Sequence, residues 1–338
     1  MQNKPTLTIL TGDCLASLKT LPDNSVQCCV TSPPYYGLRS YLKEGDEGKV
    51  SEIGLEETPQ QYVEKMVEVF REVRRVLRED GIFWLNLGDS FGGTSGVHAG
   101  GSDKANSNTG AVNATLPNKG GKAKNLLGIP WRTAFALQDD GWILRQACYW
   151  MKKNSMPESV KDRPSTVIET IFMLTKSPRY FYDAEAVKVS AKTSMKPRDK
   201  SAEGWHDGAG TTNCAEGERV WGDNKMRSRR SSDWFFESWQ GMLQDEDGDP
   251  LAFVVNTKPY KGAHFACFPP ELIRPMVRAG CPISGTVLDP FGGSGTTAQV
   301  ALEHGCNAIV CELNADYIPL IHQRCDPILN KPIEPSLS

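Results

Sequence analysis

No stretch of this chain holds the roughly 18 consecutive apolar residues of a membrane span, and the opening Met-Gln-Asn-Lys-Pro does not read as a signal peptide. A strong charge of either sign is missing as well. Against 41 Asp+Glu stand 38 Lys+Arg, leaving −3 over 338 residues, so whole-chain charge points to no partner. Ten cysteines occur, yet none forms a Cys-x-x-Cys pair. Most sit inside apolar runs, where cysteine behaves as a small hydrophobe, so reduced buried thiols, no metal and a cytoplasmic location are expected. These absences exclude membrane, secreted, collagenous and wholly disordered classes. What is present is ordinary globular material, 39% hydrophobic and 23% charged, enough for one large or two modest domains.

The apolar pattern lays out an α/β arrangement. A short strand is expected at Leu7–Leu10, ending at Thr11-Gly12-Asp13, with a turn of helix carrying Leu15, Leu18 and Leu21 behind it. Val26 to Thr31 reads as a central strand covered on both faces, and it stops at Ser32-Pro33-Pro34-Tyr35-Tyr36 because proline cannot continue a ladder. The 3–4 spacing of Tyr62, Val63, Met66, Val67, Phe70, Val73 and Leu77 predicts a helix over about 60–77. Gly81 then restarts the chain into a buried strand over 82–87. From Gly92 to Lys124 the composition turns to Gly, Ser, Asn, Thr and Lys, read here as a mobile surface loop. A helix near 130–138 and strands at 142–150 and 167–174 follow.

Over 185–232 ten Lys/Arg face seven Asp/Glu, and Lys225, Arg227, Arg229 and Arg230 crowd together before Trp234-Phe235-Phe236. Basic residues beside aromatics suit a nucleic-acid groove, and on composition alone they equally suit a solvated face. The C-terminal part returns to α/β: a strand at 286–288, a glycine turn, a helix to about 304, a strand at 308–311 and a last helix over 318–324.

Two motifs carry chemistry. In Asp289-Pro-Phe291-Gly-Gly293-Ser-Gly295-Thr296-Thr297 a strand runs into a glycine turn and then a helix. Glycines let backbone approach a ligand, and a helix start offers unpaired N–H groups. About twenty residues on, Glu312 ends the next strand, where an acid accepts hydrogen bonds from a ribose. A nucleoside cofactor follows. Gly295-Thr296-Thr297 lacks the lysine of a P-loop, and the dinucleotide fingerprint fits poorly on Gly293-Ser-Gly295-Thr-Thr-Ala298, which favours S-adenosyl-L-methionine.

The second motif is Ser32-Pro33-Pro34-Tyr35 at the end of a buried strand. A nucleobase amine is a poor nucleophile because its lone pair is delocalised into the ring. A side-chain oxygen and a rigid proline carbonyl that accept both amino hydrogens turn that lone pair toward a methyl donor. The aromatic offers a face to an unstacked base. Read alone, the same residues are also a plain loop after a strand.

Together the two motifs resemble the DNA amino-methyltransferases that act on N4 of cytosine or N6 of adenine. The order of the motifs is similar to the beta group, in which the catalytic motif precedes the cofactor motif. The resemblance implies an α/β, Rossmann-like, S-adenosylmethionine-dependent methyltransferase fold, circularly permuted, with an inserted target-recognition region. It covers nearly the whole chain. Gly12-Asp13, Trp150-Met-Lys152-Lys153-Asn154, the Glu169…Lys176 segment and Ala263-His264-Phe265-Ala266-Cys267-Phe268-Pro269 match further family elements. The implied layout is a catalytic half over 1–184, target recognition over 185–255 and a cofactor half over 256–338. The last strand would then lie beside the first.

Carried over by position, Ser32 and the Pro33 carbonyl would hold the target amine, Pro34 would stiffen the turn and Tyr35 would stack on a flipped base. Asp289, Phe291, Gly293, Gly295 and Thr296 would surround the cofactor. Glu312 would take its ribose, Asp13 its adenine amine, and His264, Phe265 and Phe268 its methionine side. Asp13 could equally be a helix cap, and His264 a core histidine. Lys225, Arg227, Arg229 and Arg230 would meet double-stranded DNA. Serine ahead of Pro-Pro favours cytosine N4 over adenine N6. Carbon-5 chemistry is disfavoured because the sequence has no Pro-Cys pair. An RNA or protein amino-methyltransferase and a non-catalytic DNA-binding module remain as other classes. The expected setting is a bacterial or phage-encoded cytoplasmic enzyme, with a partner restriction endonuclease and the choice of monomer or homodimer left open.

Overall fold

The computed structural model describes residues 4–42, 45–93, 122–152, 162–163, 166–190, 226–228, 253–255 and 268–331. Ten strands occur among them: β1 Leu7–Thr11, β2 Val26–Thr31, β3 Leu77–Leu87, β4 Ile143–Met151, β5 Ile168–Thr175, β6 Lys188–Ser190, β7 Met226–Ser228, β8 Phe253–Val254, β9 Thr286–Asp289 and β10 Asn307–Glu312. The helices are α1 Cys14–Lys19, α2 Pro59–Val76, α3 Ile129–Asp139, α4 Pro270–Gly280, α5 Thr296–Glu303 and α6 Ile318–Leu329. One sheet has the order β1-β10-β9-β2-β3-β5-β4-β8, in which β8 is a two-residue edge. Within it β5 alone runs antiparallel to its neighbours. A separate ladder pairs β6 with β7.

Strand parity divides the core into two layers, as period-two side-chain alternation requires. Cys29, Phe83 and Leu85 face the layer built with α1, α2 and α3. Cys28, Val30, Ile82 and Trp84 face α4, α5 and α6. This double cover is why β2 and β3 read as continuous apolar runs. α2 starts at a capping box: Thr58 Oγ1 accepts from Gln61 N, Gln61 Oε1 accepts from Thr58 N, and Pro59 sits at the first helical position.

Parallel pairing of β1 with β10 sets Leu10 beside Cys311, so the last strand does neighbour the first. β3 and α4 differ from the sequence expectation, and the short strands β6, β7 and β8 have no counterpart in it. β3 begins at Leu77 rather than after Gly81, because Leu77 pairs with Val26 and a register shift between Val26 and Cys28, with 78–81 bulged in β3, precedes the meeting of Ile82 with Cys28. Gly81 is the tight point, where a Cβ would come within 2.9 Å of the Gln27 carbonyl. Helix α4 has no counterpart in the sequence reading; its prolines at 270 and 275 hide an amphipathic pattern that buries Leu272, Ile273, Met276 and Val277.

The Gly92–Lys124 loop has joined ends. Phe91 bridges to Leu126, Gly92 N donates to Asn125 O (2.7 Å) and Lys124 N to Gly92 O (3.1 Å), while residues 94–121 lie outside the described part. Of the region 185–255, residues 185–190, 226–228 and 253–255 are described. Among the described residues no helix is long and apolar enough to cross a membrane, and no cluster suits a metal ion.

Candidate active site at the strand ends

Because β1, β10, β9 and β2 are parallel, their carboxyl ends open on one edge of the sheet, and the order reverses between β9 and β2. Such a reversal is where open α/β sheets leave a crevice. Both sequence motifs end there.

On the β9 side, Asp289 is 3% exposed and accepts from Thr31 Oγ1 at 2.5 Å and from Phe291 N at 3.0 Å. Burial pushes its carboxyl above the ordinary aspartate range, against the lowering by hydrogen bonds from Thr31, Thr297 and Phe291. It binds the end of β9 to the end of β2 and sets the turn between them. Gly293 (φ 52°) and Gly295 (φ 80°) are left-handed, and a Cβ at Gly295 would meet the Ile321 backbone at 3.2 Å. Gly295 caps α5, whose first residue is the buried Thr296.

Glu312 ends β10. Its Oε2 accepts from Gly293 N at 2.7 Å and its Oε1 from Asn314 N at 2.8 Å. Burial lifts its carboxyl to about 7 in spite of those bonds. Gly12 N donates to the Glu312 carbonyl at 2.9 Å, which ties β1 to β10 beside the cradle. Asp13 caps α1, its Oδ1 accepting from Ala16 N at 2.8 Å. Phe291 meets Phe70 edge-on at 6.5 Å on the α2 side of the sheet, whereas Phe268 is buried in the opposite layer with α4–α6.

On the β2 side, Pro33 is buried and Ser32, Pro34 and Tyr35 are partly so. Tyr62 OH donates to the Pro34 carbonyl at 2.8 Å. Tyr36 is fully buried against Tyr62, ring centroids 5.6 Å apart, and serves packing. The Tyr35 ring lies on Gly88, where a Cβ would approach Cε2 to 2.4 Å. Its hydroxyl donates to Glu169 Oε2 at 2.7 Å. Asn86, 5% exposed, shares its two Nδ2 hydrogens among that hydroxyl at 2.9 Å, Glu169 Oε2 at 3.0 Å and, most distantly, Ser32 Oγ at 3.4 Å. Lys152 Nζ pairs with Glu169 Oε1 and also lies 4.5 Å from the Trp150 ring.

The structure therefore brings Ser32, Pro33, Pro34 and Tyr35 to the same sheet edge as Asp13, Asp289, Phe291, Gly293, Gly295, Thr296 and Glu312. His264, Phe265, Lys225, Arg229 and Arg230 lie outside the described residues, and Arg227 is on β7 opposite Val189. Sequence reasoning missed Asn86 and Gly88 and assigned no role to Lys152 or Glu169. A polar residue in an apolar strand, as Asn86 is in β3, was the signal available. The eight described cysteines are buried and free. Burial raises the thiols of Cys14, Cys28, Cys29 and Cys311, which suits packing rather than nucleophilic chemistry.

The family profile described as DNA methylase (N6_N4_Mtase) matches residues 26–323. Type II methyltransferase M.XycI of Xanthomonas campestris pv. cyanopsidis is 42% identical over 319 residues, covering 94% of this chain and 87% of that protein. M.SmaI of Serratia marcescens is 37% identical over 318 residues, covering 94% and 89%. The fold is similar to that of the PvuII DNA methyltransferase (cytosine-N4-specific), with a TM-score of 0.56 at 17% identity over 97% of this chain and 96% of that one. A putative DNA modification methylase of Thermus thermophilus, TTHA0409, complexed with S-adenosyl-L-methionine, has a TM-score of 0.53 at 19% identity over 96% of each chain. With a glycine cradle and a Ser-Pro-Pro-Tyr turn on one sheet edge and the family profile spanning both, this chain belongs to the N6/N4 DNA methylase family.

Proposed function

We propose that this DNA methyltransferase methylates the exocyclic N4 of cytosine in double-stranded DNA, with the base flipped out of the stack. The observation that carries the reading is the Thr31–Asp289 hydrogen bond, which sets the Ser32-Pro33-Pro34 turn directly beside the Phe291–Gly295 cradle. The methyl donor is S-adenosyl-L-methionine. Bound, it would supply an electrophilic methyl on a sulfonium, which the amine would take with its lone pair while the departing sulfur keeps the bond's electrons and the amine's extra proton passes to solvent.

The residues present fit that donor. Glu312 Oε2 accepts from Gly293 N and Oε1 from Asn314 N, and a carboxylate's remaining lone pairs would serve ribose hydroxyls. The α1 cap uses Asp13 Oδ1, leaving Oδ2 to the adenine amine. Asp289 is spent internally and shapes the cradle. Phe291 offers an apolar wall, while Phe268 packs in the opposite layer with α4–α6 and is not assigned to the cofactor.

Ser32 Oγ and the Pro33 carbonyl accept the two amino hydrogens. Tyr62 already occupies the Pro34 carbonyl, which leaves the Pro33 carbonyl to meet the amine. Tyr35, its ring backed by Gly88, stacks on the base. Serine rather than an acid or amide ahead of Pro-Pro supports cytosine N4, and the fold neighbour named cytosine-N4-specific agrees with that choice. Adenine N6 is the second reading, since both bases present an amine beside a ring nitrogen. Region 185–255, with Lys225, Arg227, Arg229 and Arg230, is assigned to target recognition.

The test is transfer of labelled methyl from S-adenosyl-L-methionine to unmodified genomic DNA, followed by nucleoside analysis, with Ser32→Ala in parallel. N4-methylcytosine that falls by about 100-fold or more in the variant supports the whole reading. N6-methyladenine would overturn the base, and label on RNA or protein would overturn the substrate.

A further inference from the structure

A hydroxyl that must accept a hydrogen bond from an amine can fail by turning its own proton the wrong way. Ser32 carries one proton and two lone pairs, and only lone pairs can receive an amino hydrogen. Something has to take the serine proton on the far side.

Behind Ser32 stands a chain with a fixed direction. Glu169 is an ion-paired carboxylate, with Lys152 on Oε1, so its Oε2 can only accept. The Tyr35 proton is committed to Oε2 at 2.7 Å. That leaves the Tyr35 oxygen as an acceptor, toward which Ser32 Oγ donates at 3.4 Å. This last bond is long, a spacing that catalytic hydrogen bonds show before they tighten around substrate. Asn86 braces the corner: its two Nδ2 hydrogens are shared among Glu169, Tyr35 and, at the longest distance, Ser32, and since this nitrogen can only donate it opposes any reversal. Glu169 and Lys152 are 12% and 20% exposed, so water competes little for these positions.

We propose that Glu169, held by Lys152, is a positioning residue that polarises the Tyr35–Ser32 pair so that the serine presents lone pairs to the target amine. The proposal rests on the amino-methyltransferase reading and goes beyond it by giving β5 and β4 a part in the chemistry. Glu169→Gln is close in shape, but its amide can donate to Tyr35 and reverse the chain. Tyr35→Phe keeps the ring for stacking and removes the link.

The experiment compares the full chain, E169Q, Y35F and the double variant in single-turnover methyl transfer to unmodified genomic DNA. Melting and affinity for S-adenosyl-L-methionine are measured alongside. E169Q is expected to slow transfer by about 100-fold while cofactor affinity and melting stay put. The double variant is expected to be no slower than the slower single one, because both break one chain. E169Q at the wild-type rate, or a double variant slowed by the product of the two, overturns the proposal. Should E169Q fail to fold, Y35F decides: an unchanged rate overturns the proposal and a large loss at unchanged melting supports it. A wild-type protein that transfers nothing to DNA amines overturns the functional reading as well, which is how the two failures are told apart.

Discussion

Glu312 is a carboxyl whose burial and ligand chemistry oppose each other. Desolvation lifts it to about 7, so near neutral pH it is part protonated. Ribose hydroxyls need acceptors, and protonation turns one acceptor into a donor. In the proposed role the ionised form would be the one that binds S-adenosyl-L-methionine, and binding would pull the carboxyl's pKa down and expel a proton. The sign follows from linkage: affinity is level above the raised value and weakens, by up to about tenfold per pH unit, as pH falls below it. Calorimetric titration at about pH 6 and about pH 8 checks this, with Glu312→Gln expected to flatten the dependence. Equal affinity of the wild-type protein at both would count against Glu312 as the ribose acceptor. Glu312 and Asp13 can be picked out from the sequence because each follows an apolar strand at a telling distance from glycines. Glu169 cannot. Its partner Tyr35 is 134 positions away, and they meet because β5 folds back antiparallel on β3.

At the scale of elements, α2 begins at a reciprocal cap one turn ahead of Tyr62, whose hydroxyl holds the Pro34 carbonyl. Thr58→Ala removes the bond to Gln61 N and is expected to cost about 1 kcal/mol, seen in urea unfolding, with methyl transfer unchanged. A loss of transfer larger than the loss of folded protein would show instead that α2 holds the Pro34 turn through Tyr62 more tightly than the cap implies. Helices and strands with unbroken periodicity, such as β2 and α2, are legible to within a residue. α4 is hidden because Pro270 and Pro275 are usual signs of a break, yet the first sits where its missing N–H is harmless and burial of Leu272, Met276 and Val277 carries the rest. β3 reads short because Arg78, Glu79 and Asp80 are exposed, while its start is set by pairing with Val26.

For the whole molecule, a net charge of −3 means that DNA affinity has to come from local positive patches and not from a general field. Each phosphate neutralised by Lys or Arg releases counterions, so binding of a duplex is expected to weaken at least about tenfold between roughly 50 and 200 mM salt. Fluorescence anisotropy against a labelled duplex measures it, and equal affinity at both ends would remove the electrostatic footprint assigned to region 185–255. The sheet order has a further consequence. Residues of the candidate site come from the two ends of the chain, and the β1–β10 pairing sets Thr11 beside Glu312, with Gly12 N donating to the Glu312 carbonyl.

By itself the sequence determined the chemistry on offer: a glycine turn ahead of a helix, an acid at the next strand end, and a serine with two prolines closing a buried strand. These are local patterns, set by φ preferences, missing N–H groups and side-chain period, and they survive without knowledge of what lies across the sheet. The tertiary structure alone decided that Thr31 meets Asp289, that Gly88 makes room for the Tyr35 ring, and that Asn86, Glu169 and Lys152 stand behind Ser32. Those contacts join residues far apart in the chain, so their partners are fixed by strand order and register, which no local pattern encodes.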